Sequence, residues 1–355
     1  MIRALRRIHD NFAGRGEAAL AIPAMDGALR PNQALDEARA VLEVRAPDNL
    51  VPRDGAALFS SGPELWELCG GTAASLGRQG TVITCLAVGR GGLAIGLEDG
   101  RILLPGGSVL ESVGGRRCPT ALAFDGDALL VAQGSARHSP GSWKHDLMER
   151  GSSGSVWRVP PEGGDATCLA EGLAFPYGLL VADGGTVVVT ESWRHRLLRL
   201  DMRRPSRPEV VLADLPGYPA RLAPAAGGGA WLCIFAPRSQ LMEFVLREPG
   251  YRARMMQEVD PEYWIAPALA SGRSFLEPLQ GGAVKQMGIL KPWAPARSYG
   301  LVIRLDAAWE PVESLHSRAD GDRHGVTSCL EQAGELLIAS KGGDVILSAH
   351  AGLRG

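Results

Sequence analysis

The stretch that decides the fold is "GLAFPYGLLVADGGTVVVTESWRHRLLRLD", residues 172–201. Its apolar runs are short, and a Pro-Tyr-Gly turn, an Asp-Gly-Gly turn and a polar segment separate them. Short apolar runs bounded by Gly, Pro and Asp are typical of strands joined by tight turns. Tyr177 stands at the head of this unit, where a small polar side chain is the usual choice. The stretch therefore predicts a small antiparallel sheet that begins with a bulky phenol.

The same order of strand, Gly turn, strand, polar turn and third strand recurs along the chain. Six such units begin at residues 49, 84, 120, 177, 220 and 327. Small sheets repeated at this spacing are typical of propeller blades, because each blade buries its faces against its neighbours. The sequence predicts an all-β fold, a six-bladed β-propeller over residues 46–350, with a pair of β-sandwich domains as the alternative.

Two insertions interrupt the repeats, at residues 134–152 in the third unit and 237–297 in the fifth. The second insertion contains a predicted helix with a break at Pro249-Gly250, and an aromatic stretch with Tyr263, Trp264 and Phe275. Long insertions in compact folds are usually lids or binding loops. Both connect strands on one side of a blade, so we expect them to cover one mouth of the central channel. The second could also serve as a homodimer surface.

The N-terminal region, residues 1–45, is predicted to be a helical extension, because Leu35, Ala38 and Leu42 share one helical face. The first dozen residues could form a short basic helix, either an ordinary terminal helix or one lying on a membrane surface. They contain no apolar signal core, and no run of about 18 apolar residues follows, so neither a secretory signal nor a transmembrane segment is predicted. We expect a cytoplasmic location.

Composition narrows the classes of partner. The net charge of −2 argues against nucleic acid as the main partner, because phosphate binding needs a basic field. Glycine is frequent, with 46 residues, as many tight turns require. No two of the six cysteines lie within ten residues of each other, so no CxxC motif exists. We interpret the cysteines as buried thiols.

Several stretches resemble the strictosidine-synthase-like family. The most specific are "EGLAFPYGLLVADGG" (171–185) and "ADLPGYPARLAP" (213–224), and "TSCLEQAGELLIASKGGDVI" (327–346) is similar too. The resemblance covers most of residues 28–349, and the family's animal branch of adipocyte plasma membrane-associated proteins has a similar layout. It implies a six-bladed propeller related to gluconolactonases and paraoxonases, which bind a divalent metal at the centre of the channel.

The positions that match the metal ligands of those relatives carry different residues here. They are Asp48, Thr120, Ala121, Tyr177, Ala220 and Arg221. Calcium takes about six to eight oxygen ligands, many of them carboxylates. Only Asp48 is a carboxylate, and Arg221 adds a positive charge. The sequence therefore predicts no metal and no other cofactor.

The plant members that the resemblance includes use a glutamate of the sixth blade to condense an amine with an aldehyde. Thr327 stands at that position and cannot transfer a proton as a glutamate does. The remaining candidates for catalysis at the axis are Asp48, Tyr177, Arg221 and His324. Asp48 or His324 would act as base, Tyr177 would donate to an oxyanion, and Arg221 would hold a carboxylate or phosphate. Alternatively, Asp48 and Arg221 pair as a structural plug.

Substrate contacts are predicted for the residues around these groups, which are Thr120, Thr327, Trp143, His145 and Tyr218. His145 could instead lie in a solvated loop. Glu191 and Arg196 are predicted to form an ion pair within the fourth blade, and Lys341 is predicted to be a charge on the rim.

Two hypotheses about function follow. The first is a metal-independent enzyme that acts on a small organic molecule in the channel, by ester or lactone hydrolysis or by C–N or C–C bond chemistry. The second is a non-catalytic propeller that binds a small ligand or a protein partner. Propellers serve both purposes, so the fold alone does not decide between them.

Overall fold

The computed structural model describes residues 22–160, 165–182, 184–203, 208–274, 276–278, 285–286, 289–290 and 297–350. The basic helix expected in the first dozen residues lies outside this part of the chain, as does Phe275. Six four-stranded antiparallel sheets make up the described fold. It is the six-bladed β-propeller that the repeats predict.

The strands follow each other from blade to blade in chain order, with the innermost strand of each blade first. Blade one contains β2 (Pro47–Arg53), β3 (Ala56–Ser61), β4 (Glu64–Cys69) and β5 (Thr72–Arg78). Blade two contains β6 (Ile83–Gly89), β7 (Gly92–Leu97), β8 (Ile102–Leu103) and β9 (Val109–Leu110). Blade three contains β10 (Pro119–Asp125), β11 (Ala128–Gln133), β12 (Gly154–Val159) and β13 (Thr167–Leu173).

Blade four contains β14 (Pro176–Ala182), β15 (Thr186–Glu191), β16 (Arg196–Asp201) and β17 (Glu209–Leu212). Blade five contains β18 (Gly217–Pro224), β19 (Ala230–Pro237), β22 (Gly300–Leu305) and β23 (Pro311–Ser317), with the short pair β20 (Lys285–Gln286) and β21 (Ile289–Leu290) in its insertion. Blade six contains β24 (Val326–Gln332), β25 (Glu335–Ser340) and β26 (Val345–His350). Single 3-10 turns occur at Gly27–Leu29, Pro105–Gly107, Pro140–Ser142, Ser192–Arg194 and Pro261–Tyr263.

Blade six takes its outermost strand from the N-terminal region. Helix α1 (Ala34–Glu37) is a single turn, and β1 (Arg39–Glu43) then pairs with β26. The prediction of a helical extension up to residue 45 is therefore wrong for residues 39–43. Val41 and Leu42 pack on a cluster shared by blades six and one, and pairing with β26 also covers a sheet edge. These long-range contacts outweigh the local helical pattern.

The cores lie between the blades. Cys85 and Ile102 of blade two, for example, pack against Leu122 and Val131 of blade three. Four cysteines are buried and one is half-buried, as expected, but Cys69 is exposed at the end of β4, so the prediction is wrong for this thiol. The inner strands contact each other in sequence, and β24 contacts β2 to close the ring.

The two insertions touch each other. The first contains α2 (Trp143–Met148), and the second contains α3 (Gln240–Arg247) and α4 (Pro249–Glu258). Lys144 Nζ donates to the carbonyl oxygen of Pro261 at 3.1 Å, and the ring centroids of His145 and Trp264 are 4.8 Å apart. None of the described helices is long and apolar enough to cross a membrane.

Candidate functional site

The channel axis is occupied by a charged cluster of three residues, Asp48, Arg221 and Lys341, which we call the axial cluster. Asp48 Oδ1 accepts hydrogen bonds from Arg221 Nη1 at 2.9 Å, from Thr327 Oγ1 at 2.8 Å and from the backbone N–H of Asn49 at 2.8 Å. Asp48 Oδ2 accepts from Lys341 Nζ at 2.8 Å. Four donors therefore hold a carboxylate that is almost completely buried.

The Asp48 carboxyl group stays ionised at neutral pH. Burial alone would raise the pKa of Asp48, but the Arg221 guanidinium and the Lys341 ammonium outweigh it and lower that pKa to about 2. Burial opposes the charged form of Lys341, yet the Asp48 carboxylate raises its pKa above the usual value. The axial cluster consequently carries two cations and one anion, an excess of one positive charge.

The inner strands bring these groups together by a shared register. In five blades the second residue of the inner strand faces the axis, and these residues are Asp48, Thr84, Thr120, Tyr177 and Thr327. Blade five differs, since the irregular pairing of β18 with β19 between Pro219 and Leu222 lets Arg221 reach the axis from further along its strand. Its Nη2 donates to the carbonyl oxygens of Thr84 at 2.6 Å and Thr120 at 3.3 Å.

The aromatic ring of Tyr177 packs against the Arg221 guanidinium. Arg221 Cζ lies 4.7 Å from the centroid of the Tyr177 ring, within the range of a cation–π contact. The backbone places the ring there, because Phe175 adopts a positive φ of 55° and the N–H of Ala174 donates to Glu191 Oε1 at 2.7 Å. The predicted ion pair of Glu191 with Arg196 is confirmed.

A cavity of about 240 Å³ lies on the side of the axial cluster that the insertions cover. Asp48 and Lys341 line it together with an aromatic wall, which consists of Trp143, Phe175, Tyr177, Trp193 and Phe235. Within this wall the centroids of Phe175 and Trp193 are 4.5 Å apart and stacked. The remaining lining residues are Val82, Ile83, Thr84, Glu98, Thr120, Pro140, Gly141 and Leu269. We call this space the capped cavity.

A second cavity of about 300 Å³ lies further along the inner strands, towards the opposite mouth. Arg221 lines it, and the other lining side chains are mostly aliphatic and come from all six inner strands. The axial cluster therefore separates a polar and aromatic cavity from an aliphatic one.

The predicted site residues fall into three groups. Asp48, Thr120, Trp143 and Tyr177 line the capped cavity. Arg221 and Thr327 donate hydrogen bonds to Asp48 at the axis.

The other three predicted site residues neither line the capped cavity nor donate to Asp48. His324 uses its ring nitrogens on Ser298 Oγ and the Arg318 carbonyl oxygen, both at 2.8 Å, so the structure does not bring it to the channel as a base. His145 lies between the rings of His138 and Trp264. Tyr218 is fully buried, which raises the pKa of its phenol.

Sequence reasoning missed several groups that line the capped cavity. Lys341 was expected on the rim, and this is wrong, because its ammonium binds Asp48 and its side chain is only 28% exposed. Trp193, Phe235 and Glu98 were not considered. All four lie within two residues of the end of a blade's second strand, which pairs antiparallel with the start of the inner strand. Counting that register would have found them.

The donor set does not fit a divalent cation. Calcium needs about six to eight oxygen ligands, whereas the axis offers one carboxylate already bound by an ammonium and a guanidinium. Among the residues that the structure describes, no group of three His, Cys, Asp or Glu side chains could hold a metal ion. No step of a mechanism is therefore assigned to a metal.

Comparison with known sequences agrees with the resemblance read from the motifs. The protein strictosidine synthase-like 13 of Arabidopsis thaliana is 30% identical over 161 residues, 41% of this chain and 40% of that protein. The chain is similar to strictosidine-synthase-like proteins. The adipocyte plasma membrane-associated protein of Salmo salar is 26% identical over 242 residues, 65% of this chain and 51% of that protein. The matches thus span about half or less of these relatives. No protein-family model matches.

Solved structures support the same fold. A gluconolactonase from Xanthomonas campestris aligns with a TM-score of 0.56 at 14% identity, covering 94% of this chain and 97% of that one. The calcium-binding protein regucalcin from Agrobacterium tumefaciens aligns with a TM-score of 0.52 at 15% identity, covering 89% and 95%. At these identities the likeness concerns the propeller fold alone.

Proposed function

We propose that the protein is a metal-independent enzyme that acts on the carbonyl group of a small ester or lactone in the capped cavity. The observation that carries this proposal is Lys341, whose ammonium is fixed by Asp48 on the wall of that cavity. An ammonium has three donors, and Asp48 takes one of them. The others can bind a substrate oxygen in a space that aromatic side chains shield from water.

The proposed chemistry is electrostatic. As water adds to the carbonyl carbon, negative charge develops on the carbonyl oxygen, and Lys341 and the Tyr177 hydroxyl stabilise it. Asp48 is a positioning residue in this scheme, since a carboxylate with a pKa of about 2 is too weak a base to accept a proton at neutral pH. Glu98, the other carboxylate lining the capped cavity, accepts the proton from the attacking water. As the tetrahedral intermediate collapses, the C–O bond to the alcohol oxygen breaks and Glu98 returns the proton to that oxygen.

The test is hydrolysis of a panel of lactones and aryl esters in the presence of EDTA. The name of the Xanthomonas relative makes sugar lactones a sensible first set. Lys341→Met should lower kcat/KM about 10²- to 10³-fold, the usual cost of removing one oxyanion donor. Tyr177→Phe, which keeps the ring over Arg221, should lower it by a smaller factor.

Matched controls are Arg90→Met and Tyr251→Phe, which make comparable changes at exposed positions outside the capped cavity and should leave kcat/KM unchanged. Activity that EDTA abolishes and Ca²⁺ restores would overturn the metal-independent proposal. Full activity of Lys341→Met and Tyr177→Phe would overturn the site assignment.

A non-catalytic binding protein is the second candidate. It is favoured by the saturation of Asp48, which accepts four hydrogen bonds and so makes the axial cluster a structural plug beneath the capped cavity. Ligands that bind without turnover across the whole panel would support this candidate. The cytoplasmic location stays a prediction. That the second insertion forms a dimer surface also stays a prediction, and the exposure of about half of Phe244 and Tyr251 in that insertion is compatible with it.

A further inference from the structure

We infer that the ligand of the capped cavity is an aromatic monocarboxylate, a single planar ring with one short acidic side chain. The inference rests on the proposed function only in taking the same cavity as the ligand site. Three features carry it: the excess charge of the axial cluster, the aromatic wall and the position of Glu98.

Charge comes first. Arg221 and Lys341 share one carboxylate, Asp48, so one positive charge of the axial cluster is not balanced within it. Of the two cations, Lys341 lines the capped cavity, whereas Arg221 lies behind it and turns towards the other cavity. Lys341 shares its counter-ion with Arg221, so its charge is only partly compensated. A ligand carboxylate against Lys341 Nζ balances it and takes the donors that Asp48 does not use.

The aromatic wall sets the shape of the rest of the ligand. Five aromatic side chains line one small space, with neighbouring centroids such as Trp143 and Phe235 at 5.5 Å and Tyr177 and Phe235 at 5.9 Å. Such rings favour a further ring in an offset or edge-on position. A cavity of roughly 150 Å³ holds benzene. The 240 Å³ of the capped cavity therefore leaves room for one ring and a short acidic side chain.

Glu98 limits the ligand to one acid group. Its carboxylate lines the capped cavity and accepts the N–H of Gly141 on both oxygens, at 2.8 Å and 3.0 Å. A second ligand carboxylate placed beside Glu98 would be repelled by this negative charge. The cavity should therefore discriminate against diacids of the same ring size.

The experiment is calorimetric titration of the full chain with four probes: phenylacetate, its neutral isostere phenylacetamide, the diacid 1,4-phenylenediacetate and the saturated analogue cyclohexylacetate. Phenylacetate should bind, and the amide should bind at least about tenfold more weakly, because it loses a charge-assisted hydrogen bond. The diacid and the saturated acid should also bind more weakly than phenylacetate. Absence of phenylacetate binding at concentrations up to about 10 mM overturns the inference.

Variants assign the preference to the named groups. Lys341→Met should abolish the preference for phenylacetate over phenylacetamide, whereas Lys341→Arg and the surface control Arg90→Met should keep it. Glu98→Gln should improve binding of the diacid by a larger factor than that of phenylacetate, because only the diacid brings a second carboxylate into the cavity. If Lys341→Met does not fold, the Glu98→Gln result and the acid-to-amide ratio of the unmodified protein still decide. Equal binding of acid and amide, or no gain for the diacid in Glu98→Gln, overturns the inference.

These outcomes are separate from the test of turnover. A preference for aromatic monoacids in a protein that hydrolyses none of the ester panel leaves this inference standing and removes the proposed enzyme. Hydrolysis without any preference for the acid over the amide overturns this inference and leaves the proposed enzyme standing.

Discussion

Lys341 Nζ lies 2.8 Å from Asp48 Oδ2, although the two residues are 293 positions apart in the chain. Asp48 belongs to the first blade and Lys341 follows the second strand of the last blade, so this contact closes the propeller at its axis. The pairing of β1 with β26 closes the same ring at its outer edge. The first and last blades are thus joined by an ion pair at the axis, and the N-terminal strand is joined to the last blade by backbone hydrogen bonds at the outer edge.

Replacing Asp48 by Asn should destabilise the protein strongly. The change keeps the side-chain shape but leaves two partly buried cations without their carboxylate, and breaking a buried pair typically costs about 3–5 kcal/mol. The free energy of unfolding in urea measures the effect. Asp127→Asn, at an exposed turn, is the matched control and should change stability by less than about 0.5 kcal/mol. A loss below about 1 kcal/mol in Asp48→Asn would contradict the structural importance of the axial cluster.

The same carboxylate predicts a pH dependence at acid pH. Its pKa is about 2 in the folded protein and close to the ordinary aspartate value of 3.8 when the chain is unfolded. A depressed pKa contributes stability that is complete above the unfolded value and is lost as pH falls through the folded value. About 2 kcal/mol should therefore disappear between roughly pH 4 and pH 2.

Glu243 titrates in the same window: burial raises its pKa, but His195 and Arg238 outweigh burial and lower it to about 2. The useful measurement is thus the difference in unfolding free energy between the unmodified protein and Asp48→Asn, from pH 7 to pH 2. We expect this difference to shrink by about 2 kcal/mol on acidification. A constant difference would show that Asp48 is not the group responsible.

The blades could be predicted because their signals are local. Apolar runs with Gly and Asp turns specify each sheet within a few dozen residues, as in residues 172–201. The strand Arg39–Glu43 could not be predicted this way, because its partner, Val345–His350, lies at the other end of the chain. Its apolar residues fit a helical face equally well, and only packing against a distant blade decides between the two.

The candidate site also contains residues that could be predicted from the sequence and residues that could not. Asp48, Tyr177 and Thr327 were found because each is the second residue of an inner strand, a position that counting from the turns locates. His324 was misplaced because the chain turns just after it. Gly325 adopts a positive φ of 63° and donates its N–H to the Tyr299 carbonyl oxygen, which keeps the preceding loop against blade five.

Gly178 should tolerate no side chain. A Cβ at this position would lie 2.6 Å from the Ala220 carbonyl oxygen and 2.9 Å from Arg221 Cα, both of them backbone atoms that cannot move independently. Gly178→Ala should therefore push β18 away from β14 and cost about 1–3 kcal/mol. Thermal unfolding measures it, with Gly80→Ala as control, because nothing lies within 4 Å of a Cβ there.

That substitution also tests how the axial cluster is held in place. A displaced Arg221 should weaken its contact with Asp48, so Gly178→Ala should lower phenylacetate affinity or ester turnover more than Gly80→Ala does. If Gly178→Ala unfolds at the same temperature as the unmodified protein, the close packing of β14 against β18 is disproved.

Trp264 should hold the two insertions together over the capped cavity. The residue is 1% exposed, its Nε1 donates to the Val259 carbonyl oxygen at 2.9 Å, and its ring meets that of His145 edge to face. Trp264→Ala removes this contact and leaves a space beneath α2 and α4. Large-to-small changes of buried tryptophan cost about 3–5 kcal/mol, and here the loss should be local to the insertions.

Limited proteolysis with mass mapping of the cut sites measures that local loss. Cleavage in Trp264→Ala should become faster within residues 134–152 and 237–274, while the blades stay resistant. Trp157→Ala is the control, because Trp157 packs in the cluster between blades two and three and not under the insertions. It should lower global stability without directing cleavage to the insertions. An identical cleavage pattern in the two variants would refute the bridging role of Trp264, since one change removes a buried tryptophan under the insertions and the other a half-buried tryptophan between two blades.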